Sequence, residues 1–227
     1  MGIISVEKAD HLFWLGRYTE RVFTTLRKFF HVYDNMIDTQ EIERLYGEYC
    51  ERLSIPNIYT ADTFVQKYLF DKENPDSMRA NMERAYDNAI VLRDELTSNA
   101  LAYIQLSLDV LKSAEGKGAP IFKLQPVIDY LFAFWGCIDD YVENEECRNI
   151  IKAGKYVERL DLYLRLEYHT KDIEKEFCKL EKRLVKSGLP VNTKKLNRLK
   201  AIIAKQEEWS SCYFEALSCL GGILEVM

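Results

Sequence analysis

The chain has 227 residues, of which 48% are hydrophobic and 30% charged, with 10 glycines and 5 prolines. This composition is typical of a compact helical domain and excludes collagenous and disordered classes. No stretch approaches roughly 18 uninterrupted apolar residues, so we expect no membrane-spanning helix and predict a cytoplasmic protein. The six cysteines lack Cys-x-x-Cys spacing and there are three histidines, which favours buried reduced thiols and predicts neither a metal nor another cofactor.

Apolar residues recur at helical spacing almost throughout the chain, and the alternation typical of strands is absent. The sequence therefore predicts an all-α fold. We expect one domain over residues 1–227, an antiparallel bundle of about seven helices, three of them long.

The predicted helices follow from local stop and start signals. Pro56 ends one helix, Pro126 begins another, and the glycine-rich EGKGAP stretch is predicted to be a surface loop without the geometry of a phosphate-binding loop. Side chains that can accept a backbone hydrogen bond mark the other starts. In chain order, helices are predicted at 6–36, about 40–53, 60–70, 77–113, 126–142, 145–169 and 170–186, followed by a last helix that is bent near Gln206. The predicted caps are Ser5, Thr60, Ser77, Thr170 and, for the last helix, Thr193. Gly188 and Pro190 are predicted to end the helix at 170–186.

A short motif occurs twice in this sequence, as GRYTER at 16–21 and as GKYVER at 154–159. Charged side chains are rarely placed near a core unless they pair. The repeated Glu-Arg pair therefore predicts an internal pseudo-repeat, in which two motif helices meet around a shared polar centre.

The residues leave three interpretations of this centre open. The carboxylates and guanidinium groups could form structural ion pairs, and Asp161 is spaced to bridge toward Arg165 on the same helix face. Alternatively, Glu20 and Glu158 could converge to bind a ligand or do acid-base work, because two neighbouring carboxylates raise each other's pKa. A di-iron site would require Glu-x-x-His motifs, and the sequence has none.

Positive charge is concentrated between Lys179 and Lys205, which contains nine Lys or Arg and one acidic residue. This segment could be a docking strip for an acidic partner, a nucleotide phosphate or a nucleic acid. The alternative is a pair of solvated helix faces, which we favour. No aromatic residue interleaves with these charges, and nucleic-acid binding is therefore not expected.

Three blocks of the sequence resemble, in matching order, the signature blocks of the bacterial alpha-E family. They are ADHLFWLGRYTERVFTTLR, ENPDSMRANMERAYDNAIVLRDELTS and GKYVERLDLYLRL. Alpha-E proteins are typically encoded or fused with circularly permuted ATP-grasp proteins and transglutaminase-like proteins. The resemblance therefore implies a role in making or cleaving amide or peptide bonds. The matching positions are Trp14, Gly16, Arg17, Glu20 and Arg21 in the first block, Asn74, Pro75, Ser77, Asp87, Asn88 and Arg93 in the second, and Gly154, Glu158, Arg159 and Asp161 in the third. Lys155 stands where the family usually has Arg.

Two functions are consistent with these features, and the sequence does not decide whether the protein is an enzyme. In the first, it is an accessory or scaffold protein that docks onto an ATP-grasp amide ligase or a transglutaminase-like protein. In the second, it acts on peptide or amide bonds in a pocket between the motif helices, with Glu20, Glu158 and Asp161 as acid-base groups. The expected substrate-binding or partner-binding residues are Arg17, Arg21, Asp87, Asn88, Arg93, Lys155 and Arg159. We favour the scaffold, because this set contains neither a nucleophile nor a metal.

Overall fold

The computed structural model describes residues 4–38, 41–56, 60–115, 121–205 and 209–224. Within these ranges the chain forms ten α-helices, one short 3-10 helix (Ile121–Leu124) and an isolated antiparallel β-bridge between Val191 and Leu224. The all-α prediction is confirmed. None of the described helices is long and apolar enough to cross a membrane. The helices are α1 (Val6–Asp38), α2 (Ile42–Leu53), α3 (Ala61–Phe70), α4 (Met78–Val91), α5 (Ser98–Ala114), α6 (Gln125–Tyr141), α7 (Glu145–Arg165), α8 (Thr170–Ser187), α9 (Thr193–Ala204) and α10 (Trp209–Gly221).

The count exceeds the predicted seven partly because the helix expected from Ser77 to about Ser113 is two helices. The chain leaves α4 after Val91 and makes a turn over 92–95. Thr97 then caps α5, since its hydroxyl accepts a hydrogen bond from the backbone N–H of Ala100 at 3.2 Å. The turn residues Leu-Arg-Asp-Glu have ordinary helical propensity, so the local signal for the break is the cap residue Thr97 and not the turn itself.

Several predicted helix ends are confirmed by their hydrogen bonds. The Ser5 hydroxyl accepts from the N–H of Lys8, and the Ser77 hydroxyl accepts from the N–H of Ala80 at 3.0 Å. Gly188 follows α8 with a φ of 66°, a conformation that favours glycine.

Two predicted caps are wrong by one residue and one helix is shorter than expected. Thr170 and Thr193 are the first residues of their helices, and His169 and Asn192 take the cap positions. The helix α7 ends at Arg165, four residues before the predicted His169. The predicted start near 40, the EGKGAP loop after Glu115 and the bend at 206–208 lie outside the described residues.

The helices group into two compact units, and α1 contributes residues to both. The first unit contains residues 4–17 together with α7 to α10. In this unit Glu145 and Arg159 of α7 bond to Lys186 and Glu176 of α8, so the two helices run antiparallel. They form the main helix pair of the unit, with α9 and α10 as a second pair.

The second unit contains residues 18–143. Part of its core is a cluster of buried aromatic rings from α1, α2 and α3, in which Phe64 stacks on Tyr68 with ring centroids 5.0 Å apart. Burial raises the pKa of the Tyr68 hydroxyl. This phenol therefore stays neutral as part of the core. The rings of the cluster are Phe29, Tyr46, Tyr49, Phe64 and Tyr68.

Candidate functional site: the crossing of the two motif helices

Helix α7, which carries the second motif, is buried over most of its length. Fourteen of its 21 residues are buried, and these include the charged residues Lys152, Lys155 and Glu158. A buried charge is costly unless another group compensates it. The neighbours of α7 therefore decide what its polar residues do.

The start of α1 crosses α7 at the two motif glycines. A Cβ atom added to Gly16 would lie 2.0 Å from the carbonyl oxygen of Ile151 and 3.0 Å from the nitrogen of Lys155. Reciprocally, a Cβ atom added to Gly154 would lie 2.1 Å from the carbonyl oxygen of Phe13. Real Cβ atoms do not approach backbone atoms this closely. The two glycines are therefore required because two helix backbones touch at this point.

Next to the crossing, Arg17 of α1 binds Glu158 of α7. Its Nε and Nη2 atoms both lie 2.8 Å from Glu158 Oε2. The Glu158 side chain is 1% exposed and that of Arg17 is 20% exposed, so this is a largely buried ion pair. The guanidinium also lies over the Trp14 ring at 4.8 Å, and the Trp14 indole N–H donates to Asp10 Oδ1 at 3.1 Å. These contacts hold Arg17 in one orientation toward its carboxylate.

The first motif carboxylate, Glu20, belongs to the second unit and is fully buried. Its Oε1 accepts a hydrogen bond from the hydroxyl of Thr24, one turn later on α1, at 2.6 Å. Arg21 is half-buried and lies within electrostatic range of the Tyr68 hydroxyl. In this copy of the motif the carboxylate and the guanidinium next to it in sequence therefore have different neighbours.

Arg159, the arginine of the second copy, pairs with a residue that the sequence analysis did not single out. Its Nη1 lies 3.1 Å from Glu176 of α8, and Lys179 Nζ lies 2.6 Å from the same carboxylate. Both cations also lie over the Tyr156 ring, at 5.7 and 5.8 Å. A sequence signal existed, because Glu176 falls within the apolar stripe that includes Ile173 and Leu180.

The predicted bridge between Asp161 and Arg165 is confirmed, with 2.7 Å between Arg165 Nε and Asp161 Oδ2. The central-block residues Asp87, Asn88 and Arg93 lie in the second unit. Asp87 and Arg93 are exposed, and the Asn88 amide donates to the backbone carbonyl of Arg84 at 2.7 Å. The structure thus brings Arg17 together with Glu158, and Asp161 together with Arg165.

Much of the basic segment 179–205 is neutralised within the first unit. Four of its cations make ion pairs with carboxylates of α7, α8 and α10, and Arg183 donates to the Asn149 side chain. These contacts favour the interpretation of the segment as a pair of solvated helix faces over that of a docking strip. The four ion pairs are Lys179–Glu176, Lys186–Glu145, Arg198–Glu215 and Lys200–Glu181.

Among the described residues, no group of three His, Cys, Asp or Glu side chains is placed to hold a metal ion.

The chain matches the model of the Alpha-E family over residues 7–185, and the family is described as a predicted alpha-helical domain with a conserved ER motif. Both Glu-Arg pairs fall inside the matched range. The protein therefore belongs to the Alpha-E family. No curated protein and no solved structure matches the chain.

Proposed function

We propose that this protein is a cytoplasmic helical scaffold of a bacterial amide-forming or peptide-forming system, in which it works with an ATP-grasp ligase. Family membership supports the partner, because alpha-E proteins are typically encoded or fused with ATP-grasp proteins. The geometry of the motif supports a scaffold in preference to an isolated enzyme.

The observation that carries this proposal is the Arg17–Glu158 ion pair. A general acid or base must reach the proton that it transfers. Glu158 is 1% exposed and one of its oxygens receives two N–H groups from Arg17 at 2.8 Å. Such a carboxylate is suited to joining two helices. This structural role alone explains why the stability of the fold would depend on the Glu-Arg motif.

We also infer that the two motif helices are copies of one internal repeat. The reciprocal contacts at the crossing support this inference. Phe13 touches Gly154 while Ile151 touches Gly16, and both 13 to 151 and 16 to 154 are separations of 138 positions. A local twofold relationship between the two glycines would produce this reciprocity.

For the partner surface we propose the exposed side of α6 around Phe132. This ring is 55% exposed although it packs on Phe23, with centroids 4.7 Å apart, and lies under the Arg27 guanidinium at 5.8 Å. An exposed aromatic ring held in a fixed position loses little entropy on binding, and such rings are frequent anchors of interfaces.

The test is a titration of the purified chain into an ATP-grasp ligase from the same organism, followed by calorimetry and by ADP release during amide formation. We expect a specific complex that Phe132→Ala weakens at least tenfold. Val91→Ala is the control, because Val91 is 58% exposed on another helix of the same unit, and it should bind like the wild type.

The scaffold proposal is contradicted if the ligase does not bind the chain and the chain does not change the rate of ADP release by the ligase. Glu158→Gln separates the scaffold from the enzyme. If this variant melts like the wild type but loses a hydrolytic or ligase activity of the isolated chain, the carboxylate is catalytic and the proposal fails.

A further inference from the structure

Arg27 of α1 is an exposed arginine that aromatic rings hold in place. Its guanidinium lies over the Phe23 ring at 5.4 Å and over the Phe132 ring at 5.8 Å, and the two rings meet edge to face. Phe23 is buried in the core of the second unit, to which all three residues belong. The cation–π contacts therefore restrict the Arg27 side chain to the surface above these rings.

The hydrogen-bond donors of Arg27 remain open to another molecule. Its guanidinium makes ring contacts but no hydrogen bond or ion pair with any of the described residues. A guanidinium group has five N–H donors, and stacking on a ring leaves its edges accessible. By contrast, the exposed Arg44 of the same unit bonds to both Glu41 and Glu48. Arg27 is thus fixed in position like a paired arginine while its donors are unused.

The surface next to this guanidinium is apolar and partly uncovered. Phe132 is 55% exposed, and the exposed Gly136 follows it one turn later on the same side of α6. A Cβ atom added to Gly136 would meet nothing within 4 Å among the described residues. A partner side chain can therefore lie over Gly136 against the edge of the Phe132 ring.

The carboxylates on the exposed side of α6 lie away from this edge. At 100° per residue, Asp129 lies about 60° around the helix from Phe132, in the direction of Tyr130, whose ring stacks on α5. Asp139 and Asp140 lie roughly 10 Å or more along the helix axis from Phe132. This distance exceeds the Debye length of about 8 Å at physiological ionic strength. On the α1 side of Phe132, the nearest charge is therefore that of the Arg27 guanidinium.

We propose that Arg27 and Phe132 bind an acidic segment of the ligase, in which a carboxylate side chain bonds to the open edge of Arg27 and an apolar side chain covers the Phe132 ring. We call these two residues the Arg27–Phe132 anchor. This inference rests on the proposed ligase partner and specifies which chemical group of that partner is recognised. A guanidinium that is already held in place loses little entropy on binding, and it can bond both oxygens of a carboxylate. Arginine and aromatic side chains are also frequent hot spots of interfaces.

The experiment is calorimetric titration of the purified full chain into the ligase, repeated with variants of the anchor. Arg27→Gln should weaken binding at least roughly tenfold. Arg27→Lys keeps the charge but loses the planar fork, so it should weaken binding by a smaller factor. The matched control is Arg44→Gln, because Arg44 is an exposed arginine of the same unit whose guanidinium already binds two carboxylates. This control should bind like the wild type.

A cross-linking arm identifies the group of the ligase that is bound. A Phe132→p-benzoylphenylalanine variant is irradiated in the complex, and mass spectrometry locates the cross-linked ligase peptide. We expect this peptide to contain Asp or Glu. Arg27→Glu should then lose binding, and replacing the identified ligase carboxylate with Arg should restore it at least roughly tenfold, because the charges are complementary again.

The outcomes distinguish the anchor from the scaffold. A ligase that does not bind the wild-type chain contradicts both. If the ligase binds the wild type and Arg27→Gln equally while Phe132→Ala weakens binding, the scaffold stands and the anchor is overturned. The anchor is also overturned if Arg44→Gln weakens binding as much as Arg27→Gln, or if the charge exchange fails to restore binding. Each variant must retain the helical circular dichroism signal and the Tm of the wild type, which is expected because Arg27 is exposed.

Discussion

Two arginine–glutamate pairs in the first unit have nearly the same bond distances and very different surroundings. Arg17 binds Glu158 where α1 crosses α7, and Arg198 binds Glu215 between α9 and α10, with distances of 2.6–2.8 Å in both pairs. The Glu158 side chain is 1% exposed and that of Glu215 is 44% exposed. An exposed pair adds little because water solvates the separated charges almost as well. Bond distance alone therefore does not reveal which pair the fold depends on.

The largest loss of stability is expected when the backbones of α1 and α7 are forced apart at their crossing. Gly16→Ala or Gly154→Ala places a methyl group about 2 Å from a carbonyl oxygen of the facing helix. We expect each substitution to destabilise the protein by more than about 3 kcal/mol, since overpacking cannot be relieved without moving a helix. Chemical denaturation followed by circular dichroism measures this loss.

Gly136→Ala is the control for these two variants. Gly136 lies inside α6, and an added Cβ would meet nothing within 4 Å among the described residues. The substitution should stabilise the protein by about 0.5–1 kcal/mol, because alanine is the better helix former. Similar gains in all three variants would show that helix propensity decides the outcome and that the crossing has no steric requirement for glycine.

The next largest effect should come from removing the buried charge. Glu158→Gln leaves Arg17 largely buried without its carboxylate, which should cost about 3 kcal/mol of unfolding free energy. Glu215→Gln is the matched control, and its Tm should stay within experimental error of the wild type. Equal shifts of Tm for the two variants would contradict the contrast between the pairs.

An intermediate case is Asp161, whose pair with Arg165 lies along one helix and is about one-fifth exposed. Asp161→Asn should reduce the free energy of unfolding by about 0.5 kcal/mol, which is typical of an ion pair four residues apart. A double-mutant cycle with Arg165→Gln measures the coupling directly. A coupling as large as that between Arg17 and Glu158 would show that a largely buried pair and a partly exposed pair contribute equally.

Thiol reactivity distinguishes buried and exposed positions without altering stability. Burial raises the pKa of the Cys219 thiol, so at pH 8 a smaller fraction of it is the reactive thiolate than in an exposed cysteine. Cys178 is exposed on α8. A disulfide reagent at pH 8 should therefore label Cys178 at least roughly tenfold faster than Cys219.

Cys178→Ser should remove this fast labelling phase. Mass spectrometry of the labelled peptides assigns each phase to its cysteine. A fast phase that persists in Cys178→Ser would contradict the assignment.

The sequence predicted those features of the fold that depend on neighbouring residues. Ser77, Pro126 and Gly188 mark helix ends because each acts on backbone atoms a few positions away. The bridge between Asp161 and Arg165 was predictable for the same reason, since helical spacing alone brings them together. The turn after Val91 was missed because its residues are compatible with a helix.

The candidate site was harder to predict because its partners are distant in sequence. The motif identified Arg17 and Glu158, but no spacing rule joins residues 141 positions apart. Arg17 was predicted as a substrate-binding or partner-binding residue, and in the structure its guanidinium binds the glutamate of the other motif copy. Glu176 was missed as the partner of Arg159, although an acid within an apolar stripe was a usable signal.

The crossing of α1 and α7 also determines when the structure can be completed. The side-chain bonds between α7 and α8 join residues 17–41 positions apart, whereas the crossing joins glycines separated by 138 positions. Distant contacts form late because the intervening chain loses much entropy when the loop closes. At a synthesis rate of 5–20 residues per second, Gly16 is made roughly 7–28 s before Gly154. During that interval the Gly16 face of α1 has no α7 to pack against.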